Sequence, residues 1–148
     1  LIFVINYKLM GRIIALDYGT KRVGIAITDE LQIIASGLCT VNAHDCIDFL
    51  TNYFVKESVD LLVMGLPKDL KNNSTDATPY VKGFARKLRK VFPTLDIHYV
   101  DERFTSKMAF QTLLDGGVKK KNRKDKALID QVSATIILQS YMEQNKLF

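Results

Sequence analysis

Residues 13–18 are apolar on both faces of an extended chain except at Asp17, and a second apolar segment follows at residues 23–27. The turn between them, residues 19–22, is too short for a parallel crossover, so the two segments are predicted to form an antiparallel hairpin. A carboxylate thus ends the first strand. Gly24 is unusual inside a strand and often marks the close approach of another backbone or a ligand.

The rest of the hydrophobic pattern predicts a third strand and then an alternation of helices and strands. Apolar residues at helical spacing indicate amphipathic helices, and the continuous apolar run at 60–65 is typical of a strand buried on both faces. The order βββαβαβα predicts an α/β fold, with a mixed five-stranded sheet (three antiparallel strands, then parallel strands) flanked by helices. The predicted elements after the hairpin are strands at 33–39, 60–65 and 96–100, and helices at 43–57, from Ser74 or Thr78 onward, at 105–115 and at 126–143.

The domain organisation follows from length and uniformity. The 148 residues contain no internal repeat and no linker, which predicts a single domain over residues 10–148. The apolar segment 1–9 (LIFVINYKL) precedes Met10 and is expected to be an N-terminal extension, with an added edge strand as the alternative.

Positive charge is concentrated in two places, and the net charge of +5 suggests a polyanionic partner. Residues 119–126 (KKKNRKDK) hold six basic side chains and one acid. Such runs are usually solvated, but this one immediately precedes the last predicted helix, so we expect it to contact a nucleic-acid backbone. A basic stripe also lies on the helix that begins near Thr78, formed by Lys82, Arg86, Arg89 and Lys90.

Cysteine and histidine are too sparse for a zinc site. Cys39 and Cys46 form no C-x-x-C motif, and His44 and His98 stand alone. The thiols are expected to be reduced and partly buried in a cytoplasmic protein. No apolar run reaches the length of a membrane span, so we expect no membrane partner.

Acidic residues are predicted to meet at one end of the sheet. Asp17 ends the first strand and Glu102 follows the fifth, while Asp130 lies on the core-facing side of the last helix, a costly place for an uncompensated charge. These three acids could share a divalent cation, and oxygen-only ligands favour magnesium or manganese. Alternatively, Asp130 pairs with a nearby arginine, or the helix phase differs. Asp101 is expected to pair with Arg103 or a backbone amide. Asp130 shares its face with Ala127, Ala134, Ile137 and Tyr141.

Four segments carry a family resemblance: ALDYGTKRVGIAITD (15–29), VMGLP (63–67), YVDERFTS (99–106) and ALIDQVSATIILQ (127–139). In this order they resemble the YqgF/RuvX family of Holliday-junction-resolvase-like nucleases. That family belongs to the ribonuclease H superfamily and is associated with maturation of the 5′ end of precursor 16S ribosomal RNA. The loop KDLKNNST departs from the Asn-Met-Asp-Gly more usual in the family.

The resemblance implies a ribonuclease H-like fold and metal-dependent phosphodiester hydrolysis. Asp17, Glu102 and Asp130 match the catalytic, metal-binding acids, with two Mg²⁺ or Mn²⁺ ions and Asp17 bridging them. The expected partner is nucleic acid, with precursor rRNA preferred over structured DNA, and the protein is expected to be a monomer or homodimer. Candidate nucleic-acid-binding residues are Lys21 and Arg22, which could instead belong to a solvated turn, and Lys119, Lys120, Lys121, Arg123 and Lys124.

Three other functions remain open from the sequence. The Asp-x-Gly-x4-Gly hairpin also resembles the phosphate-binding hairpin of actin and sugar-kinase ATPase domains, which work as pairs of such domains. A nucleic-acid-binding factor with this fold but without cleavage is a second alternative. A resolvase of four-way DNA junctions is the third.

Overall fold

The computed structural model describes residues 11–67, 77–101, 108, 111–112, 114–117 and 125–145. Within these residues, no helix combines the length and the apolar character needed to cross a membrane. The strands are β1 (Arg12–Tyr18), β2 (Arg22–Thr28), β3 (Ala35–Asn42), β4 (Val59–Leu66) and β5 (Asp96–Asp101), and the helices are a 3₁₀ turn (Ala43–Asp45), α1 (Cys46–Lys56), α2 (Thr78–Val91) and α3 (Lys126–Gln144).

The five strands form one mixed sheet in the order β3-β2-β1-β4-β5. β1, β2 and β3 pair antiparallel, whereas β1, β4 and β5 pair parallel. This arrangement confirms the predicted antiparallel hairpin and the predicted mixed sheet. The carboxyl ends of β1, β4 and β5 lie at one edge of the sheet, where open α/β sheets bind ligands.

Helices cover both faces of the sheet, and the alternation along β1 explains why. Ile14 and Leu16 pack in the core beneath α1 and α2, while Ile13 and Ala15 pack in the core beneath α3. Because side chains alternate along a strand, Asp17 falls on the same face as Ile13 and Ala15, as the sequence predicts, and this is the face that α3 covers. The hydrophobic stripe of α3 therefore covers the face on which the acid lies.

The start of β3 differs from the predicted strand at 33–39, because the preceding turn is longer. The carboxylate of Asp29 accepts hydrogen bonds from the backbone N–H groups of Leu31, Ile33 and Ile34 at 2.7–3.2 Å, and these bonds lower the pKa of Asp29. Their backbone donors are therefore satisfied by the turn, and the strand begins at Ala35. The predicted helix at 43–57 likewise opens with a 3₁₀ turn before α1.

Most of the predicted helix at 105–115 lies outside the described residues. Its described positions 108, 111, 112, 114 and 115 are helical. Gly117 has a φ of 71°, a left-handed conformation that suits glycine after a helix. The predicted stop at Gly116-Gly117 is therefore confirmed.

Both cysteines are free thiols. Cys46, the first residue of α1, is buried in the core, and burial raises its pKa to about 12. Cys39, half-buried in β3, also has a raised pKa because of desolvation. A high pKa keeps both thiols protonated and poorly reactive at neutral pH.

Candidate active site

The backbone of α3 rests directly on Gly24 in the middle of β2. A Cβ atom added to Gly24 would collide with the carbonyl group of Asp130 and would lie 3.0 Å from the backbone nitrogen of Gln131. The close approach of the α3 backbone therefore explains why a glycine occurs at position 24, inside a strand. No larger residue at this position would let α3 lie where it does.

The same contact brings Asp17 to α3. Asp17 is paired with Gly24 in the β1–β2 register. Directly opposed residues on antiparallel strands point to the same face, so the Asp17 side chain lies on the side where α3 crosses Gly24. Asp17 and Asp130 therefore flank one glycine, although 113 positions separate them in the sequence.

Contacts to β3 fix the start of α3 over this site. The Thr40 hydroxyl donates a 2.6 Å hydrogen bond to the Ala127 carbonyl oxygen, and the Asp125 carboxylate caps the helix by accepting from the Ala127 N–H at 3.0 Å. The Gln131 side chain packs against Gly37, where an added Cβ would lie 2.5 Å from its amide nitrogen. These contacts define the position of Asp130 one turn further along.

Asp130 forms an ion pair with Arg22. The arginine Nε donates to the Asp130 Oδ2 at 2.8 Å, and both side chains are largely shielded from solvent. This is the arginine pairing that the sequence left open as the alternative to a metal ligand. The predicted helix phase is confirmed, because Ala134, Ile137 and Tyr141 on the same face are buried. Arg22 compensates the charge of an acid that faces the sheet.

The other predicted acids follow the parallel strands. Asp101 is exposed at the carboxyl end of β5, next to Leu66 at the end of β4. Glu102 lies outside the described residues, and its part in the site stays a prediction.

The predicted nucleic-acid contacts are described in part. Lys21 is exposed in the β1–β2 turn, and its carbonyl oxygen accepts a 2.9 Å hydrogen bond from the Ala43 N–H. Arg22 directs its guanidinium to Asp130 as described. The remaining candidates, Lys119, Lys120, Lys121, Arg123 and Lys124, lie outside the described residues.

An open depression of about 550 Å³ lies beside Arg22, and no feature of the sequence predicted it. Its walls come from β3, α1 and the first turn of α3, so only the tertiary arrangement creates it. The depression is lined by Arg22, Thr40, Val41, Asn42, Asp45, Asp48, Phe49 and Ala127.

The donor atoms of Asp17 and Asp130 fit a hard divalent cation. Both are carboxylates, and carboxylate oxygens suit Mg²⁺ or Mn²⁺ better than zinc. Among the described residues, no group of three or more His, Cys, Asp or Glu side chains could hold a metal ion, and Glu102, the predicted third ligand, is not one of the described residues. The predicted ligand set of Asp17, Glu102 and Asp130 stays a prediction.

We expect the Arg22–Asp130 pair to stabilise the metal-free protein by about 1 kcal/mol, because it is only partly exposed. A double-mutant cycle with Arg22→Ala and Asp130→Asn, measured by urea unfolding in EDTA, gives this coupling directly. The Arg12–Glu57 pair, at 3.1 Å and similarly shielded, is a matched control at the other end of β1. Additive effects of the two substitutions would show that Arg22 does not compensate Asp130.

Three antiparallel strands, two parallel strands and a helix across the first three define a ribonuclease H-like fold. Solved structures of this class are similar over 90% of the chain. They include the Holliday junction resolvase of fowlpox virus (TM-score 0.53, 14% identity, 99% of that chain) and RuvC of T. thermophilus in complex with a Holliday junction substrate (TM-score 0.53, 12% identity, 95% of that chain). At these identities the likeness concerns the fold alone.

The chain belongs to the RuvX family, also called YqgF, whose model, described as Holliday junction resolvase, matches residues 11–144. Relatives named as candidate pre-16S rRNA nucleases include those of Bacteroides fragilis (51% identical over 138 residues, 93% of this chain and 100% of that protein) and Porphyromonas gingivalis (52% over 134 residues, 90% and 97%). The family resemblance inferred from the four segments is confirmed. The protein is thus a member of a family of nucleases that hydrolyse nucleic acid.

Proposed function

We propose that this protein is a divalent-metal-dependent nuclease that processes the 5′ end of precursor 16S rRNA. The observation that carries the proposal is the convergence of Asp17 and Asp130 on the two sides of Gly24, beside the carboxyl edge of the parallel strands. Relatives that are about half identical over nearly their whole length bear the name of a nuclease for this RNA.

Asp17, Glu102 and Asp130 would hold Mg²⁺ or Mn²⁺, in the set that the resemblance implies. Divalent ions, when bound, activate a water molecule and neutralise the charge that develops on the leaving oxygen. The protein contributes a rigid placement of the two described acids, since the α3 backbone contact at Gly24 fixes their separation. Arg22 orients the Asp130 carboxylate and adds a positive charge beside the site.

We assign substrate binding to two groups of basic residues. One lies at the turn between β1 and β2, and the other precedes α3 in the sequence. Lys21 is exposed in that turn, and Arg22 lies between Asp130 and the depression bordered by β3 and α1. Lys119, Lys120, Lys121, Arg123 and Lys124 precede α3 in the sequence and are proposed to contact phosphates. We place this activity in the cytoplasm, with the protein acting as a monomer or a homodimer.

Cleavage of four-way DNA junctions is the second candidate function, because the matching family is described as a Holliday junction resolvase. Resolution requires two active sites that cut paired strands. A homodimer would therefore be needed for this function, whereas trimming of an RNA end requires one active site.

The deciding experiment incubates the protein with precursor 16S rRNA carrying its 5′ extension, with an unrelated RNA and with a four-way DNA junction. Each substrate is tested with magnesium, manganese or EDTA. Shortening of the precursor that stops in EDTA supports the proposal, and paired cuts in the junction alone support the resolvase. Binding without cleavage of any substrate would instead identify a non-catalytic nucleic-acid-binding factor.

A further inference from the structure

The net positive charge of the protein resides on α2. This helix of 14 residues contains five basic side chains and no acid, whereas the other 134 residues contain 16 Lys or Arg and 16 Asp or Glu. All five basic side chains are exposed: Lys82, Arg86, Lys87, Arg89 and Lys90. The charge of α2 is therefore +5, with no acid inside the helix to offset it, and it adds to the separate basic segment at residues 119–126.

Four of these side chains form one continuous stripe. Lys82, Arg86, Arg89 and Lys90 follow the spacing i, i+4, i+7 and i+8, which places them along one side of the helix. In the described part of the chain, none of them forms a salt bridge with an acid. The stripe is about 12 Å long at 1.5 Å per residue, and it presents like charges that no described carboxylate neutralises.

α2 begins next to the candidate active site. Thr78, its first residue, donates a 2.7 Å hydrogen bond to the carbonyl oxygen of Pro67, directly after β4. Tyr18, the residue after Asp17, stacks on Phe84 of α2 with ring centroids 4.2 Å apart. The helix therefore starts at the catalytic edge of the sheet and leads away from it across the opposite face.

We propose that the exposed basic face of α2 binds the phosphate backbone of the nucleic-acid segment that flanks the cleaved bond. Like charges along one line of the helix match a polyanion whose charges also follow a line. A membrane surface is a poorer match, because the apolar side of α2 is already buried in the core through Val81, Phe84, Ala85 and Leu88. This proposal rests on the proposed nuclease function, since it assigns a position to the substrate of that site.

The test compares two triple variants that lower the net charge by the same amount. K82Q/R86Q/R89Q removes charge from the stripe, and K56Q/N52D/Q144E removes it from exposed positions on α1 and α3. All six positions are exposed, so both variants should keep the wild-type melting temperature within about 3 °C. Binding to a fluorescein-labelled single-stranded RNA of about 20 nucleotides is followed by anisotropy in EDTA over a range of salt concentrations.

The stripe variant should reduce the slope of log affinity against log salt by about two units, which is roughly a hundredfold loss of affinity at 0.1 M salt. The control variant should leave the slope unchanged. Equal slopes for wild type and the stripe variant would overturn the proposal, as would equal losses in the two variants, which would indicate only a net-charge effect.

Cleavage in magnesium separates this proposal from the nuclease function. If wild type cleaves the RNA but the stripe variant shows the wild-type slope of log affinity against log salt, the proposed binding surface on α2 is overturned and the nuclease function is supported. If the stripe variant shows a reduced slope while wild type cleaves no substrate, the binding surface on α2 is supported and the nuclease function is overturned. If wild type does not bind RNA or DNA, both are overturned.

Discussion

Gly24→Ala should destabilise the protein by about 3 kcal/mol and should also abolish nuclease activity. The added methyl group collides with the carbonyl group of Asp130, and backbone atoms cannot turn aside as a flexible side chain can. Relief requires α3 to move off β2, which displaces Asp130 from Asp17. Without such a contact, a glycine-to-alanine change in a strand is expected to stabilise the folded protein by about 0.5–1 kcal/mol. A destabilisation at Gly24 would therefore indicate the collision with α3.

Two other glycines provide matched controls for this substitution. Gly83→Ala in α2 meets only the Arg86 guanidinium, at 3.7 Å, and should stabilise the protein by about 0.5–1 kcal/mol. Gly37→Ala meets the Gln131 side chain, which can move, and should have an intermediate effect. Urea unfolding gives the free energy of unfolding of the three variants, which should increase from Gly24→Ala through Gly37→Ala to Gly83→Ala. Wild-type stability of Gly24→Ala would mean that α3 does not lie against β2 as described.

Asp17→Asn and Asp130→Asn should each lower the cleavage rate about a thousandfold or more, with little change in RNA affinity. The substitutions keep the shape of the side chain but remove the negative charge that a divalent ion requires. Asp96→Asn is the matched control, because Asp96 is an exposed acid at the amino end of β5, away from the carboxyl edge of the parallel strands. Rates are compared over a range of magnesium concentrations, since loss of an acid also weakens metal binding. Wild-type cleavage by Asp17→Asn would exclude the proposed site.

The substitution of Asp130 removes an ion pair as well as a candidate metal ligand. Asp130→Asn also breaks the ion pair with Arg22, so part of its effect concerns stability. Asp17 lies on β1, whose pairing with β2 and β4 is made by the backbone and survives the substitution. The effect of Asp130→Asn is therefore interpreted together with the double-mutant cycle of Arg22 and Asp130.

The fold was largely predictable because local patterns and tertiary contacts agree in this chain. The short GTKR turn fixes the hairpin, and alternation along β1 places Asp17 on the same face as Ile13 and Ala15, whereas only the structure shows that α3 covers this face. The start of β3 was not predictable from hydrophobicity, because Ile33 and Ile34 are apolar yet exposed, held in a turn by the Asp29 carboxylate.

The candidate site was predictable in its residue types but not in its pairings. An acid on the apolar face of α3 indicates that some compensating group exists, and the phase of the helix identifies the face. The partner of Asp130 is Arg22, 108 positions away, and this pairing depends on where α3 crosses β2. That crossing point is determined by Gly24 and by the Thr40–Ala127 hydrogen bond, neither of which a periodic pattern reveals.

The central claim is that Asp17 and Asp130 share a divalent cation, and the melting temperature in EDTA and in magnesium tests it without any substrate. A ligand at ten times its Kd stabilises the folded state by about 1.4 kcal/mol, which raises the melting temperature of a domain of this size by about 3–5 °C. We predict this rise for wild type and Asp96→Asn, and its absence for Asp17→Asn and Asp130→Asn. An equal rise in all four proteins would contradict the claim.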